Sequence, residues 1–387
     1  MVNNFTLSDI DRETVVFLFI NGPHHVHHLI LPAMNFAINQ KFYQTVLISG
    51  SKVNTEIIRK TWHRLGCPEF GFVELRKPIR YYFPNYKSKL FPPPYTCWAR
   101  IQKYVRYAAA VVSTSHEVPK YFEKYNIKDP ALIYLYHGTG TREYGFDPNL
   151  MFFDLLLIPG IYHQRRLKEK MAIDTSKFCI IGHPKLDWFS LMKQNSLQLF
   201  DNQNPVFYYN PHWDMNLSSI NKWGNPILEY FKKNKQFNLI FSPHPLIKHF
   251  KYKNRLEKKI KNINFGDNIL IDMGSEASVD GTYNFLSDVY VGDVSSVVAE
   301  WICHRPRPCI FLNSHNIDWE NNLSYKNWHC GIVISKISDL PAELKNAVKT
   351  NKFKTQQKFY VQDMVSRGER SPSEYSTTEI INFLQGK

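Results

Sequence analysis

The chain has 387 residues, of which 43% are hydrophobic and 15% aromatic. This composition excludes global disorder, and the length predicts two domains, because single cores rarely grow beyond about 250 to 300 residues. Lys and Arg outnumber Asp and Glu by 48 to 34, and the net charge of +14 favours anionic partners: nucleic acid, phospholipid surfaces or phosphate-rich substrates. The densest lysine runs, 248–261 and 345–354, are typical of polar helix faces and not of nucleic-acid-binding blocks.

The cysteines and the hydropathy pattern indicate the compartment in which the protein is expected and the kinds of site it is expected to lack. The six cysteines contain no CxxC pair, so the sequence predicts neither a zinc site nor a disulfide framework, and a reducing compartment is expected. The first residues lack a basic segment followed by an apolar one, and no apolar run approaches the ~18 residues that span a bilayer. We therefore expect a cytoplasmic protein that binds no metal, with peripheral association at the inner face of the plasma membrane left open.

Short apolar runs alternate with helical patterns along the chain, which indicates parallel βαβ construction. In the first half, strands are predicted over residues 15–20, 45–49, 70–75, 109–113, 131–136, 155–159 and 178–182. Helices are predicted between them over 55–65 and 98–107. Residues 77–94 are rich in Pro and Tyr and show no period, so they could form a surface excursion, an acceptor-side loop or a membrane-facing patch.

Residues 194–205 are polar and mark the predicted domain boundary. In the second half, strands are predicted over residues 206–209, 238–242, 269–272, 288–292 and 309–312. Beyond Ile332 the pattern is mostly helical, and a final helix over 377–384 is expected to pack back across the structure. We thus predict an N-terminal acceptor-side Rossmann-like domain, 1–195, and a C-terminal nucleotide-donor-binding Rossmann-like domain, 205–387.

The strongest candidate for chemistry is a strand that runs directly into a helix over residues 287–302. Ligands of doubly wound domains bind outside the carboxyl ends of the strands. Ser295 and Ser296 fall in the cap and first turn of this helix, where free N–H groups and the helix dipole attract a phosphate. Asp293 and Ser295 also suit simple helix capping, which is compatible with phosphate binding. Glu300, one turn after Ser296, could reach a ribose hydroxyl of the same ligand, or it could be a surface glutamate that forms a local ion pair.

A second motif follows the predicted strand 238–242. His244 is flanked by Pro243 and Pro245, which restrict its backbone. A histidine on such a rigid turn could donate to a phosphate oxygen or protonate a leaving group. The alternative is a histidine that only forms hydrogen bonds within the turn.

A third motif, Tyr-His-Gly-Thr-Gly-Thr-Arg over residues 136–142, follows a predicted buried strand. His137 offers a base, and Arg142 offers a fork for a phosphate. Gly138 lets the backbone approach a ligand closely, so Gly138 and Thr139 are possible phosphate or acceptor contacts. The spacing matches neither a Walker loop nor a dinucleotide fingerprint.

Other histidines invite a metal hypothesis. Residues 24, 25, 27 and 28 are all His, but they are too close together to share one ion easily, and no carboxylate or cysteine lies beside them. We favour a loop and helix start that faces the predicted cleft, with His24 a possible acceptor contact. His183 follows another predicted strand, and Asp187 beside it is expected to be structural.

In order along the chain, these segments resemble the CDP-glycerol glycerophosphotransferase family, GT-B-like enzymes that build teichoic acids and related capsule polymers. Residues 136–142 are similar to the family's Trp-His-Gly-Thr-Pro-Leu-Lys, residues 181–187 to Gly-Tyr-Pro-Arg-x-Asp, and residues 206–214 to Tyr-Ala-Pro-Thr-Trp-Arg. Phe-Ser-Pro-His-Pro at 241–245 stands where the family has Lys-x-His-Pro. Gly-Asp-Val-Ser-Ser-Val at 292–297 stands where it has Thr-Asp-Tyr-Ser-Ser-Val.

The resemblance implies a GT-B-like α/β fold, with two doubly wound Rossmann-like domains facing a central cleft. It implies a transferase that moves glycerol phosphate, or a related polyol phosphate, from a CDP-activated donor to a hydroxyl of a cell-surface glycan or lipid-linked acceptor. No cofactor would be required. His137 would activate the acceptor hydroxyl, His244, Ser295 and Ser296 would bind the donor diphosphate, and Asp293 would orient the serine turn.

The resemblance spans roughly residues 130–315 and is incomplete. Gly140 replaces a proline, Val294 replaces a tyrosine and Ser242 replaces the usual lysine. Loss of the lysine removes a positive charge near the phosphates, so a GT-B glycosyltransferase that uses a nucleotide sugar in surface polysaccharide synthesis is the main alternative. From another class, a non-catalytic module for nucleic acid or anionic membrane would use the +14 charge; under the transferase hypothesis no nucleic-acid partner is expected.

Overall fold

The computed structural model describes residues 10–67, 70–75, 96–192, 198–245, 247, 266–366 and 368–386. The chain divides into two compact units. Among the described residues, unit 1 contains those up to Gly138, Phe146–Trp188 and those from Asp363 onward, and unit 2 contains Thr139–Gly145 and Phe189–Gln362. The predicted irregular segment 77–94, the lysine run 248–261 and residues 194–197 of the predicted boundary lie outside the described residues.

Unit 1 is built on a parallel sheet. Its strands are β1 Thr14–Phe19, β2 Gln44–Ser49, β3 Gly71–Glu74, β4 Ala110–Ser113, β5 Ala131–Leu135, β6 Leu155–Ile158 and β7 Phe178–Ile180. They are arranged in the order β3-β2-β1-β4-β5-β6-β7. β1, β4, β5 and β6 are buried along their whole length, as parallel strands covered on both faces are. Since neighbouring strands run parallel, their carboxyl ends share one edge of the sheet.

Unit 2 contains a second parallel sheet. Its strands are β8 Val206–Asn210, β9 Asn238–Phe241, β10 Ile269–Ile271, β11 Val289–Gly292, β12 Cys309–Leu312 and β13 Ile332–Ile334. The order is β10-β9-β8-β11-β12-β13. One face of the sheet packs on a core that includes Phe207, Leu239 and Phe231. The carboxyl ends of β8, β9 and β11 are therefore neighbours at one edge.

The α-helices of the described residues are α1 Val26–Asn39, α2 Lys52–Leu65, α3 Trp98–Val105, α4 Val118–Lys124, α5 Ile161–Met171, α6 Lys185–Met192, α7 Ile220–Lys233, α8 Ala277–Asp280, α9 Thr282–Leu286, α10 Ser296–His304, α11 Leu340–Lys349, α12 Lys354–Met364 and α13 Pro372–Gln385. Local sequence explains their ends. For example, Ser51 accepts the Asn54 N–H at the start of α2, and Gly66 ends that helix with a φ of 60°. The lysine run 345–354 spans the end of α11 and the start of α12, where its lysines are exposed.

The C-terminal segment corrects the predicted domain bounds. Residues from Asp363 onward belong to unit 1 and not to a continuous C-terminal domain of 205–387. The long unit 2 segment begins after Trp188, and the short segment Thr139–Gly145 also belongs to unit 2. The physical reason is that α13 packs on α1 of unit 1. α13 also starts earlier than the predicted 377–384, because Ser371 and Glu374 form a capping box with Pro372 in the first turn.

The strand predictions are confirmed to within about two residues at either end. β13 is an exception, since the sequence predicts mostly helix beyond Ile332. Its three residues pair with β12 in register. A run this short has too little periodicity to identify from sequence. Among the described residues, no helix has the length and apolar character needed to cross a membrane.

Candidate functional site

In unit 2, the chain passes from β11 into α10 through a tight junction at the carboxyl edge of the sheet. Ser295 is the N-cap of α10, with extended backbone and a buried side chain whose Oγ accepts the Val297 N–H at 3.1 Å. Ser296 follows as the first helical residue, and it is exposed. The two serines therefore have different positions: Ser295 stabilises the helix start, and Ser296 presents its hydroxyl and the start of the helix to solvent.

Asp293 lies at the end of β11 and is fully buried. Its Oδ2 accepts the backbone N–H groups of His212 at 2.9 Å and Ser219 at 3.0 Å. Its Oδ1 accepts no hydrogen bond from the described residues. Burial raises the pKa of Asp293 to about 7, although the bonds from His212 and Ser219 act in the opposite direction. The carboxyl group thus holds the loop that follows β8 against β11.

The segment Thr139–Gly145 packs in unit 2 beside the start of α10. A Cβ placed on Gly140 would lie 3.6 Å from Ser296 Cβ, which is ordinary contact distance. Thr141 donates its hydroxyl to the Ser324 carbonyl at 3.0 Å. Arg142, which is partly buried, has its Nη1 2.8 Å from His212 Nε2. The motif 136–142 is therefore divided, with Tyr136, His137 and Gly138 in unit 1 and the remaining four residues in unit 2.

His212 is a site residue that the motif analysis misses. It lies two residues beyond the end of β8 and is 4% exposed. Burial, and then the charge of Arg142, lowers its pKa to about 3. The signal in the sequence is that His212 follows a buried strand directly, as His244 does.

His244 occupies the turn after β9, as predicted, and is partly buried. Its backbone N–H donates to the Pro211 carbonyl at 3.1 Å, and its ring centroid lies 6.3 Å from that of His212. Burial lowers the pKa of His244 to about 3, with His212 and Arg142 adding to the effect. The structure thus brings Arg142, His212 and His244 together in unit 2.

Glu300 is 3% exposed in the middle of α10, so the alternative of a surface glutamate is wrong. Its charge acts on the buried Tyr208 of unit 2, whose pKa is well above its ordinary value because of burial and several acidic neighbours. The proposed ribose contact of Glu300 stays a prediction.

In unit 1, histidines gather at the carboxyl ends of β1, β5 and β7. The ring centroids of His25 and His137 are 4.2 Å apart, those of His28 and His183 are 5.1 Å apart, and those of His24 and His25 are 4.5 Å apart. His28 and His137 are 6.4 Å apart. His137 and His183 are distant in sequence from the other histidines. They lie in the cluster because the carboxyl ends of parallel strands are at the same edge of the sheet.

Burial favours the neutral form of His25, His28, His137 and His183, because it lowers the pKa of each ring. Burial lowers the pKa of His137 to about 3, with His24 and His116 adding to the effect and a hydrogen bond with the Thr114 backbone opposing it. Burial and Lys185 also lower the pKa of His183 to about 3. His137 Nδ1 lies 3.1 Å from the Tyr134 hydroxyl, so its ring has a fixed orientation.

The remaining predicted residues of the motif 136–142 and of its neighbourhood have defined environments. Gly138 has a φ of 147°, a backbone conformation that L side chains rarely adopt. Thr139 is fully buried. Asp187 is structural, as expected: its Oδ2 accepts the Ser373 N–H at 2.9 Å and the Ser373 hydroxyl at 2.5 Å, at the start of α13.

Comparison with known proteins identifies the fold. No family model and no curated protein matches the sequence. Among solved structures, the chain is similar to the wall teichoic acid polymerase TagF, with a TM-score of 0.62, 14% identity, and coverage of 98% of this chain and 91% of that one. It is also similar to the UDP-GlcNAc 2-epimerase of Methanocaldococcus jannaschii in complex with UDP-GlcNAc and UDP (TM-score 0.63, 13% identity, 97% and 99% covered). A third is the UDP-GlcNAc 2-epimerase of Neisseria meningitidis (TM-score 0.58, 11% identity, 97% and 100% covered).

These likenesses and the two parallel sheets show that the chain has a GT-B-like, two-domain α/β fold, as predicted. At such low identities they show the fold alone. The chemistry of the site depends on its own residues and not on the fold.

Proposed function

We propose that this protein is a transferase that moves glycerol phosphate, or a related polyol phosphate, from a CDP-activated donor to a hydroxyl of a cell-surface glycan or lipid-linked acceptor. The observation that carries the proposal is the arrangement of side chains in unit 2. Arg142 and His244 both lie close to His212, and the segment that contains Arg142 contacts Ser296 at the start of α10. Each of these can donate to a phosphate oxygen, and the helix dipole adds positive potential.

The proposed chemistry is a direct displacement at the β-phosphorus of the donor. The acceptor hydroxyl forms a bond to this phosphorus, the bond to the bridging oxygen of the diphosphate breaks, and CMP leaves with the electron pair. Negative charge that develops on CMP would be met by the start of α10, His244 and Arg142. These groups supply the electrostatic stabilisation that a metal ion gives in other phosphoryl transferases, so the proposal requires no cofactor.

His137 is the proposed acceptor of the hydroxyl proton. Its imidazole is unprotonated at neutral pH, since burial lowers its pKa to about 3, which also makes it a weak base. The Tyr134 hydroxyl, 3.1 Å from Nδ1, orients the ring. Neighbouring His24 and His25 would line the acceptor side. The proposal places the enzyme in the cytoplasm, with an anionic membrane surface as a further partner if the acceptor is carried by a lipid.

The structural likeness to TagF supports the choice of donor class. TagF is described as a wall teichoic acid polymerase, and a variant of it soaked with CDPG has a TM-score of 0.61 to this chain at 16% identity. The likeness to epimerases bound to UDP-GlcNAc supports the second candidate, a GT-B glycosyltransferase that transfers a sugar from a nucleotide sugar. In that case the bond would form at a sugar carbon instead of at phosphorus.

The test is a donor panel followed by a product assay. CDP-, UDP-, GDP- and CMP-linked donors are compared by thermal shift, since a ligand at 100 times its Kd adds about 2.7 kcal/mol to the stability. We expect CDP-glycerol to stabilise the protein and CMP to be released when an acceptor is present. Ser296→Ala should weaken donor binding, and Ser338→Ala, which changes another exposed serine of unit 2, should not. Stabilisation by a UDP-sugar alone, with no CMP release from CDP-glycerol, would favour the glycosyltransferase instead.

A further inference from the structure

Tyr325 is a buried tyrosine of unit 2 that lies outside every motif of the sequence. It belongs to the short 3-10 segment Leu323–Cys330, between β12 and β13, and its side chain is 6% exposed. The ring packs edge-on against Trp328, with 4.7 Å between the ring centroids. The resemblance to the glycerophosphotransferase family ends near residue 315, so it implies no role for this tyrosine.

The residues on either side of Tyr325 attach this segment to the candidate site. The Ser324 carbonyl accepts the Thr141 hydroxyl at 3.0 Å. Asn327 donates its side-chain amide to the Ser295 carbonyl at 3.1 Å, and this bond is buried. Since Ser295 is the N-cap of α10, the segment is held against the start of that helix. The Tyr325 side chain therefore extends from a fixed point beside the helix start.

The charges that act on the Tyr325 hydroxyl come from the candidate site. Burial raises its pKa, the positive charge of Arg142 opposes this increase, and the negative charge of Asp293 adds to it. The hydroxyl thus lies within electrostatic range of both groups. Because its pKa is above the ordinary value of about 10, the hydroxyl keeps its proton at neutral pH and can donate a hydrogen bond.

The hydroxyl of Tyr325 is available to a ligand. Among the described residues, no group forms a hydrogen bond with it, and its oxygen is not fully enclosed although the ring is buried. Polar groups on buried side chains normally have a partner in the protein or in bound water. A neutral donor in the neighbourhood of a guanidinium suits an anion, since both groups can donate to its oxygens.

We infer that the Tyr325 hydroxyl donates a hydrogen bond to a phosphate oxygen of the bound donor. The inference rests on the proposed function for the identity of the donor, whereas the contact itself requires only a phosphate group near Arg142. The two residues have different roles in binding. Arg142 supplies positive charge, and the uncharged Tyr325 hydroxyl, held by its packed ring, fixes the direction of one oxygen.

The test measures the binding of inorganic pyrophosphate and of CDP to the full chain by calorimetry. Tyr325→Phe removes the hydroxyl and keeps the ring that packs on Trp328. Its affinity for both ligands should fall by about 10-fold or more, the usual effect of losing a hydrogen bond to a charged group. Tyr230→Phe is the matched control and should bind normally, because it removes a hydroxyl of α7 that also lacks a partner in the described part of the chain.

A second variant separates binding from packing. Tyr325→Phe should unfold in urea at the same concentration as wild type, since the ring is retained. Tyr325→Leu, which removes the ring as well, should lose both stability and affinity. A Tyr325→Phe protein that binds both ligands as wild type does would overturn the inference and leave Tyr325 with a packing role only.

Two further outcomes would contradict the phosphate contact. The first is a wild-type protein that binds neither pyrophosphate nor CDP. The second is a loss of affinity for CDP alone, which would place the hydroxyl at the cytidine part of the ligand. The contact and the transfer reaction also fail separately. If wild type binds CDP more tightly than Tyr325→Phe but releases no CMP from CDP-glycerol, the contact is retained and the proposed function is wrong.

Discussion

Asp293 accepts the backbone N–H of Ser219 at 3.0 Å, which joins the end of β11 to the start of α7. The same carboxylate oxygen holds the His212 N–H. Asp293→Ala would leave both buried donors without an acceptor, at a cost of roughly 1 to 3 kcal/mol for each. We expect a clear loss in the free energy of unfolding, measured in urea, and a smaller loss for Asp293→Asn, which keeps one acceptor oxygen. Equal stability of wild type and Asp293→Ala would contradict this role.

The protonation of Asp293 predicts a specific dependence on pH. Its pKa is about 7 in the folded protein, and the ordinary value in an unfolded chain is about 3.9. Between these values the folded state binds a proton that the unfolded state does not, so this group's contribution to stability falls as pH rises towards 7. Asp293→Asn removes the titration and serves as the reference. The stability of wild type relative to Asp293→Asn should fall by about 2 kcal/mol between pH 5.5 and 8.

The buried histidines predict an opposite and larger effect in acid. His27, His183 and His212 are less than 5% exposed, and burial lowers the pKa of each to about 3. Below the unfolded value of about 6.5, the unfolded chain binds protons that the folded protein does not, so stability falls as pH falls. At pH 5.5 each group costs about 1.4 kcal/mol, and the three together outweigh the gain from Asp293.

This prediction is checked by urea unfolding at pH 7.5, 6.5 and 5.5. The free energy of unfolding should decrease over the series. The slope of the free energy of unfolding against pH reports the difference in bound protons between the unfolded and folded states. His183→Gln should reduce this difference by about one proton. His329→Gln, an exposed position, is the control and should leave the steepness unchanged. A steepness that His183→Gln does not alter would show that His183 is not neutral in the folded protein.

The attachment of α13 predicts a further effect on stability. Asp187 accepts two hydrogen bonds from Ser373 in the first turn of α13, and α13 packs on α1. Asp187→Ala should lower stability by roughly 1 to 3 kcal/mol, because a buried backbone donor and a helix start lose their partner. Asp363→Ala removes a partly exposed ion pair with Arg165, which is worth less than about 1 kcal/mol. Thermal unfolding distinguishes the two, and equal effects would contradict the proposed importance of Asp187.

Much of the fold can be predicted from sequence because its strands are short, buried apolar runs. β5 and β12, for example, are recognisable without any contact information. The return of the chain to unit 1 cannot be predicted in this way. It depends on the packing of α13 on α1, and the pattern of α13 alone does not identify its partner.

The candidate site shows the same division between local and long-range information. The Ser295 cap is a local feature and follows from residue types and spacing. The approach of Arg142 to His212 joins residues 70 positions apart, and the approach of His28 to His183 depends likewise on the arrangement of strands. Such pairs need the sheet order, which a single sequence does not provide.

The two serines at the start of α10 should separate stability from binding. Ser295 is buried and its Oγ accepts the Val297 N–H, so Ser295→Ala should lower the free energy of unfolding by about 1 kcal/mol. Ser295→Thr keeps a capping hydroxyl and should cost less. Ser296 is exposed, so Ser296→Ala should change stability by less than about 0.5 kcal/mol.

Donor binding should be affected more by Ser296→Ala than by Ser295→Ala, which is the reverse of their expected effects on stability. Under the proposed function, Ser296→Ala removes a hydroxyl that donates to the diphosphate, and affinity for CDP-glycerol should fall by about 10-fold or more, as for a hydrogen bond to a charged group. Calorimetry at a temperature well below unfolding measures this for folded Ser295→Ala and Ser296→Ala alike. A larger loss of affinity in Ser295→Ala would mean that the helix start itself, and not the Ser296 hydroxyl, holds the phosphate, because the cap fixes the direction of the first N–H groups.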